Sequence, residues 1–548
     1  MANWRIWYSF FPPAYQNIKK IGILEAQLIS ILKVPFWSRK AMSKRTTIAA
    51  FTAVTLRAES DIPLYRQLYD ELREAILQGR LSAGSRLPST RWLADTLKIS
   101  RNTVVTAFDQ LLAEGYIESR VGDGTYITRV LPEEVLNSKR ARPAQQTHVR
   151  NGRALSTRGT AMGRVNTILT EIDLAPRAFR TGIPALEEFP HKLWSQLEGK
   201  YQHDPRLMAY GDSAGYRPLR IAIAEYLREA RAVRCSPDQV IVVAGAQQAF
   251  DLAARLLLDS GDAVWIENPG YGGARAAFLG AGAQLVPVGI DSEGLNVADG
   301  LRRRPDARLA YVTPSHQYPL GVTLSLSRRF ALLDWAYRAG AWIIEDDYNS
   351  EYRYASHPLA ALQGLDRENR VIYVGTFSKV LLPALRLGYM VVPPDLVEPF
   401  IAGRAILSRH SSLRDQAVVA DFIAEGHFTT HIRRMRALYA QRQQVLVEAA
   451  RAIPDNLLTI HPADAGMHVM GWLPDGWDDR NVTAAALEHD VEVTPLSRYC
   501  IESVDRAGVV LGYACVNESA IRAAVTHLAA ALSEYAALAL PVMVQHSS

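Results

Sequence analysis

Cysteine is scarce in this sequence of 548 residues: Cys235, Cys500 and Cys515 are its three, and no pair has metal-ligand spacing. A disulfide framework and a metal site are therefore not expected, and a reducing cytoplasm is the expected location. A membrane-spanning run is missing from the most apolar part of the N-terminus, where Glu25, Lys33 and Pro35 interrupt the stretch from Ile21 to Phe36. That stretch is too short to cross a bilayer, and it lacks the small-residue cleavage site of a secretory signal, so no membrane partner is expected. A global excess of charge is missing as well. The formal net charge is +5, but residues 1–41 alone carry six Lys and Arg against the single acid Glu25, so the rest of the chain sums to zero. Net charge thus gives no argument for nucleic acid, and any such argument has to be local. Residues 1–60 read as an N-terminal extension, with translation expected to start at Met42.

What is present is apolar material for more than one core, 48% of residues against 21% charged. Leu64, Leu68, Leu72, Ala75 and Ile76 recur at helical spacing after Asp61, a candidate N-cap, and the helix they predict stops at Gly79. Pro88 and Ser89 open a second helix through Leu97, and Ser100 caps a third that runs to about Glu114. Two short strands around Gly122-Asp123-Gly124 follow, between Tyr116 and Thr128. Three helices and a hairpin within residues 61–130 make a winged helix-turn-helix. Residues 131–171, with seven arginines and lysines and little periodicity, read as a flexible basic linker. From 172 to 540, strand-like runs at Val240–Ala244, Ala263–Ile266, Leu309–Val312, Trp342–Glu345 and Val371–Val374 alternate with helical patterns. This predicts an α/β domain with a mostly parallel sheet.

The span Gly84 to Ile127 contains, in order, Gly-Ser-Arg-Leu-Pro-Ser-Thr-Arg, Ser-Arg-Asn-Thr-Val and Gly-Asp-Gly. It resembles the winged helix of the GntR regulators. The resemblance implies that Ser89, Thr90 and Arg91 open the second helix against a phosphate, that Arg101, Asn102 and Thr103 present the recognition helix to base edges, and that Gly122 and Gly124 shape the wing. The chemistry agrees with those roles. Helix N-termini hold phosphate, Arg bonds guanine in two places, and Asn does so with adenine.

Further on, Gly375-Thr376-Phe377-Ser378-Lys379 ends an apolar strand, and Arg386 follows. A lysine that loses its proton can bond an aldehyde cofactor, and the hydroxyls of Thr376 and Ser378 with the Arg386 guanidinium suit a phosphate beside it. Asp346 and Tyr348, at another strand end, suit a pyridine nitrogen and a ring oxygen. Tyr271 supplies an aromatic to stack, and Ala246 and Gln247 open a helix after a strand, a place for phosphate. Each element alone is more often a surface or core feature, and only their combination carries weight.

Together they resemble the fold type I aminotransferases. That implies pyridoxal 5'-phosphate as cofactor, with Lys379 as its covalent anchor. Tyr210, in Ala-Tyr-Gly-Asp-Ser-Ala-Gly, resembles the tyrosine that reaches the phosphate of a neighbouring subunit, which implies a homodimer. Those enzymes usually carry Asn-Pro-x-Gly near the cofactor's 3-oxygen. Here the segment is Ser315-His316-Gln317-Tyr318-Pro319-Leu320-Gly321 and the asparagine is missing. This segment, Glu345-Asp346-Asp347-Tyr348 and the fused winged helix resemble the MocR branch of GntR regulators, whose aminotransferase-like domain generally senses ligands. The expected function is regulation of transcription through operator DNA by pyridoxal phosphate or an amine or amino-acid effector, with Arg275 and Arg498 as candidate carboxylate contacts. The alternative is a working aminotransferase that carries a DNA-binding head.

Overall fold

A computed structural model describes residues 62–120, 122–129, 176–354, 359–454 and 456–543, with 56, 57, 60, 155–160 and 162 besides. The N-terminal extension before Leu56, the Asp61 cap and most of the predicted linker lie outside the described residues. The chain divides into two compact units, residues 1–152 and 153–548.

In the first unit the helices are α1 (Leu64–Leu77), α2 (Thr90–Leu97) and α3 (Arg101–Ala113), followed by β1 (Ile117–Arg120) and β2 (Gly124–Ile127). The periodic residues of α1 form its inner face: Leu68, Leu72, Ala75 and Ile76 are buried, against Leu93 of α2 and Val104, Ala107 and Leu111 of α3. Ser89 caps α2 by accepting from Trp92 N, and Ser100 caps α3 by accepting from Thr103 N. Strands β1 and β2 pair antiparallel, Arg120 opposite Gly124, with Gly122 and Asp123 in the turn between them. Arg86 bridges to Tyr126, so the segment before α2 adds a third edge to the wing.

The second unit is built on a mostly parallel sheet. Its strands are β3 (Val240–Val243), β4 (Ala263–Asn268), β5 (Gln284–Asp291), β6 (Gly294–Leu295), β7 (Leu309–Val312), β8 (Trp342–Asp347), β9 (Val371–Thr376) and β10 (Gly388–Val391), in the order β3-β10-β9-β8-β7-β4-β5-β6. Strands β4, β5, β7, β8 and β9 run parallel, and β10 runs antiparallel to both β9 and β3. Continuous apolar strands of this kind are covered on both faces, as the full burial of β3, β4, β7 and β10 requires. The helices that matter for the site are α4 (Arg217–Arg231), α5 (Ala246–Leu257) and α6 (Gly272–Ala281). A smaller antiparallel sheet of β11 (Thr459–Ile460), β12 (His468–Trp472), β13 (Thr494–Pro495) and β14 (Gly508–Gly512), in the order β11-β12-β14-β13, packs with the long C-terminal helix α7 (Glu518–Met543). Within the predicted linker, a helical turn at 157–160 is capped by Ser156, whose hydroxyl accepts from Gly159 N at 3.0 Å.

Each strand run read from the sequence is a strand; β4, β8 and β9 each extend two residues further toward the chemistry, and β3 ends one residue earlier, at Val243. The carboxyl ends of β3, β4, β7, β8 and β9 share one edge of the sheet. Ligands bind at that edge in open α/β sheets.

Candidate functional site

Lys379 follows the end of β9, and its amine donates to the Gly182 carbonyl at 2.8 Å. Burial lowers the lysine pKa from its ordinary value and the Arg386 guanidinium lowers it further, while the Asp346 carboxylate opposes both. The amine is thereby brought closer to the neutral, nucleophilic form.

Asp346 lies near the end of β8 and is buried. Its Oδ2 accepts from the Tyr311 hydroxyl at 2.6 Å, and its Oδ1 has no partner among the described residues. Burial pushes this carboxyl up to about 7, against the Tyr311 hydrogen bond. The Tyr348 hydroxyl is buried near the same carboxylate and makes no hydrogen bond that meets ordinary geometry among the described residues.

The ring of Tyr318 stands in the middle of the aromatic wall, perpendicular to Tyr348 at 5.7 Å, Tyr271 at 6.0 Å and Tyr499 at 5.1 Å. Its hydroxyl meets that of Tyr499 at 2.9 Å. A tyrosine tied to the C-terminal part of the unit thus occupies the segment that lacks the asparagine. His316 beside it is buried, with Nε2 unpartnered, and burial holds it well below its ordinary pKa, as a neutral ring.

The N-terminus of α5 lies beside these groups. Arg386 donates to the Ala244 carbonyl at 3.2 Å, and Gln247 Nε2 donates to Gly273 O at 2.8 Å while its Oε1 has no partner among the described residues. Ser378 N donates to Thr376 Oγ1 at 3.2 Å, closing the turn before the lysine. Lys379, Asp346, Tyr348, Arg386, Thr376, Ser378, Tyr271, Ala246 and Gln247 therefore belong to one neighbourhood. Tyr210 does not join them within this chain. It is 81% exposed, beside His410 and with the Arg409 guanidinium 4.7 Å from its ring centre. Arg275 is buried, and one of its terminal nitrogens donates to the Arg498 carbonyl at 3.2 Å, so the two arginine positions meet through main chain; the Arg498 side chain is exposed.

Several contributors have no signal in the sequence reading. Glu267 of β4, buried and pushed up to about 7 by burial, accepts from Thr313 N, Thr313 Oγ1 and Gln317 Nε2, and so fixes the turn that presents His316 and Tyr318. Arg231 of α4 grips Asp347 Oδ2 at 2.8 Å and Ser315 Oγ at 2.6 Å, tying the end of β8 to the same turn. Gly182 and Tyr311 were likewise invisible. Each sits in an unrelated stretch, and only the fold brings it to the strand ends.

In the first unit, Arg91, Arg101 and Asn102 are exposed at the starts of α2 and α3, and Arg101 Nε reaches Thr90 Oγ1 at 3.5 Å. Ser89 accepts from Trp92 N and the Thr103 N–H donates to Ser100, so both positions also take part in capping, while Arg91, Arg101 and Asn102 are exposed. Arg86, missed in the sequence, lies against the wing: a Cβ on Gly124, whose φ is +118°, would come within 2.8 Å of its Nε. Among the described residues no cluster of side chains could hold a metal ion, and no helix is long and apolar enough to cross a membrane.

Residues 184–533 match the family model for aminotransferase class I and II, and residues 64–127 match that for bacterial regulatory proteins of the gntR family. The chain is 44% identical to the probable rhizopine catabolism regulatory protein MocR of Rhizobium meliloti, over 87% of this chain and 95% of that one. It is 31% identical to the pyridoxine biosynthesis transcriptional regulator PdxR of Corynebacterium glutamicum, over 88% and 98%. Among solved structures, α-aminoadipate aminotransferase LysN of Thermus thermophilus, complexed with N-(5'-phosphopyridoxyl)-L-leucine, aligns with a TM-score of 0.64 and 29% identity, over 69% of this chain and 98% of that one.

Proposed function

Since this chain belongs to the MocR-type transcription regulators, in which a gntR-family head precedes an aminotransferase class I and II domain, we propose that it acts in the cytoplasm as a homodimer whose second unit holds pyridoxal 5'-phosphate on Lys379 and whose first unit binds operator DNA. The observation that carries the cofactor assignment is a desolvated lysine amine within electrostatic reach of a buried carboxylate, one of whose oxygens has no partner among the described residues. A flat ring with a basic nitrogen, a hydroxyl, an aldehyde and a phosphate complements that set.

Bound there, the cofactor supplies an electrophilic carbon and an electron-withdrawing ring. The chain does the rest. Lys379 provides the amine, kept from full protonation by burial. Asp346 Oδ1 holds a proton on the ring nitrogen, and the Tyr348 hydroxyl faces the 3-oxygen. Tyr271 covers the ring. Arg386, Thr376, Ser378 and the N–H groups at Ala246 and Gln247 receive the phosphate, and Tyr210, exposed on its own subunit, reaches the phosphate of a second copy. For an amine or amino-acid effector, Arg275 and Arg498 would be the contacts for a carboxylate. Such a ligand regulates by binding one state of the dimer better than the other. In the head, Arg101, Asn102 and Thr103 face base edges, Ser89, Thr90 and Arg91 a phosphate, and Gly122 and Gly124 the backbone at the wing.

The test is covalent mapping. Borohydride reduction of protein incubated with pyridoxal phosphate should leave a phosphopyridoxyl mass on the peptide containing Lys379, and K379A should lose both the mass and any effector response in a gel shift with DNA from upstream of its own gene. A tag at other lysines only would overturn the reading. Steady release of keto acid over many turnovers would instead support the aminotransferase alternative.

A further inference from the structure

Tyr311 is a tyrosine inside a strand, β7, that otherwise reads as plain core: Leu309, Ala310, Tyr311 and Val312, all fully buried. A buried phenol needs an acceptor. The one it has is Asp346 Oδ2, at 2.6 Å. The sheet register accounts for the meeting. Tyr311 pairs with Ile344 of β8, and Asp346 lies two residues further on the same face of that strand, a diagonal distance that a phenol can span. The ring is held in place by Phe250, edge-on at 5.3 Å, and Phe278 at 6.2 Å, so the hydroxyl cannot swing aside.

A carboxylate offers two equivalent oxygens and turns about its last bond. Clamping one of them fixes its plane and decides which oxygen is left. We propose that Tyr311 is the positioning residue of the cofactor carboxylate: by engaging Asp346 Oδ2 it aims Oδ1 at the pyridine nitrogen and keeps the carboxyl in its ionised form. The proposal rests on the reading that the site takes pyridoxal phosphate. The hydrogen bond favours the carboxylate over the carboxylic acid and works against the burial that pushes Asp346 up to about 7. The charged groups around Asp346 are Lys379 after β9, Glu267 of β4 and the adjacent Asp347, with the phenols of Tyr271 and Tyr348 beside them. Of these only Lys379 assists ionisation, and the Tyr311 hydroxyl adds to it as a neutral donor. With the cofactor bound, Tyr311 would hold Oδ2 while the protonated ring nitrogen faces Oδ1, so each oxygen would have one donor.

The experiment uses the full-length protein with pyridoxal phosphate labelled with nitrogen-15 in its ring. Wild type should give the resonance of a protonated ring nitrogen, and cofactor affinity that falls at acid pH as Asp346 takes up a proton. Y311F, which removes one oxygen from an otherwise unchanged ring, should bind the cofactor about tenfold more weakly. Its acid-side loss should begin at higher pH, and its ring-nitrogen resonance should move toward the unprotonated position. Fluorotyrosine at 311, a better donor of the same shape, should move the acid-side loss to lower pH. A purely structural hydroxyl would change stability without moving either the pH profile or the resonance, and that result in both variants would overturn the proposal. If borohydride leaves no tag on Lys379 in wild type, the cofactor reading itself fails. A tagged wild type with unshifted variants removes the role of Tyr311 alone.

Discussion

The Lys379 amine donates to the Gly182 carbonyl at 2.8 Å although 197 residues separate them. Gly182 has φ +75°, and a Cβ built on it would lie 2.9 Å from that same nitrogen. The obstructing atom is the end of a flexible side chain, so G182A should fold at a backbone cost of about 1 kcal/mol and displace the lysine amine. The expected outcome is a cofactor affinity lowered at least about tenfold, measured by fluorescence titration, with operator binding by the cofactor-free protein unchanged. Wild-type affinity in G182A would show that the lysine does not depend on this contact.

The pair Arg231–Asp347 is buried, at 2.8 Å, and also receives the Tyr373 hydroxyl at 2.6 Å. Replacing only the arginine leaves the carboxylate uncompensated, which costs about 3–5 kcal/mol in comparable pairs. R231M should therefore lower the urea midpoint of the second unit, followed by intrinsic tryptophan fluorescence. Because Arg231 also holds Ser315, the variant should disturb the Tyr318 turn and weaken cofactor binding as well.

Acid should act on the fold through His468, whose Nε2 lies 2.9 Å from the Pro319 carbonyl. Burial lowers its pKa from 6.5 to about 4, against the help of that carbonyl. The unfolded chain binds a proton at this position below 6.5 and the folded chain only near 4, so the stability it contributes is present above 6.5 and is lost as pH falls through that window. H468Q keeps a donor for Pro319 and does not titrate. Between pH 7 and pH 4, wild type should lose up to about 3 kcal/mol relative to H468Q, read from urea unfolding at several pH values. An equal response of the two proteins would assign the acid sensitivity to other groups.

The strands and the helices of the head were legible because their signals are local: apolar runs bounded by turn residues, and Ser89 and Ser100 ahead of periodic stretches. Lys379, Asp346 and Tyr348 were legible only in combination, as polar groups at the ends of neighbouring apolar strands, and the sheet order is what brings those ends together. Tyr311 was not, because a tyrosine within an apolar strand has the pattern of a core residue, and its hydroxyl becomes meaningful only across the register to β8. Glu267 and Arg231 were hidden by distance, each acting on a turn some 46 or 84 residues away. Arg275 was legible as a cation near Tyr271 but not as one already bonded to the Arg498 main chain. The sequence does not record which donors the fold has already used.

In the head, the capping serine and the residues proposed to read bases occupy adjacent positions, and substitution should separate the two roles. Ser100 accepts from Thr103 N at 3.1 Å, so S100A should reduce the stability of the head by about 1 kcal/mol. It should weaken DNA binding only as far as the recognition helix frays. Arg101 and Asn102 are exposed on the first turn of that helix and cap nothing. R101A and N102A should therefore leave thermal unfolding unchanged and each weaken operator binding by about 1–3 kcal/mol, while binding to unrelated DNA changes much less for N102A than for R101A, because asparagine carries no charge for the phosphates. Gel shifts on the operator and on a scrambled duplex at two salt concentrations measure both effects. If N102A weakened binding to both duplexes equally, Asn102 would be a backbone contact and not a reader of bases.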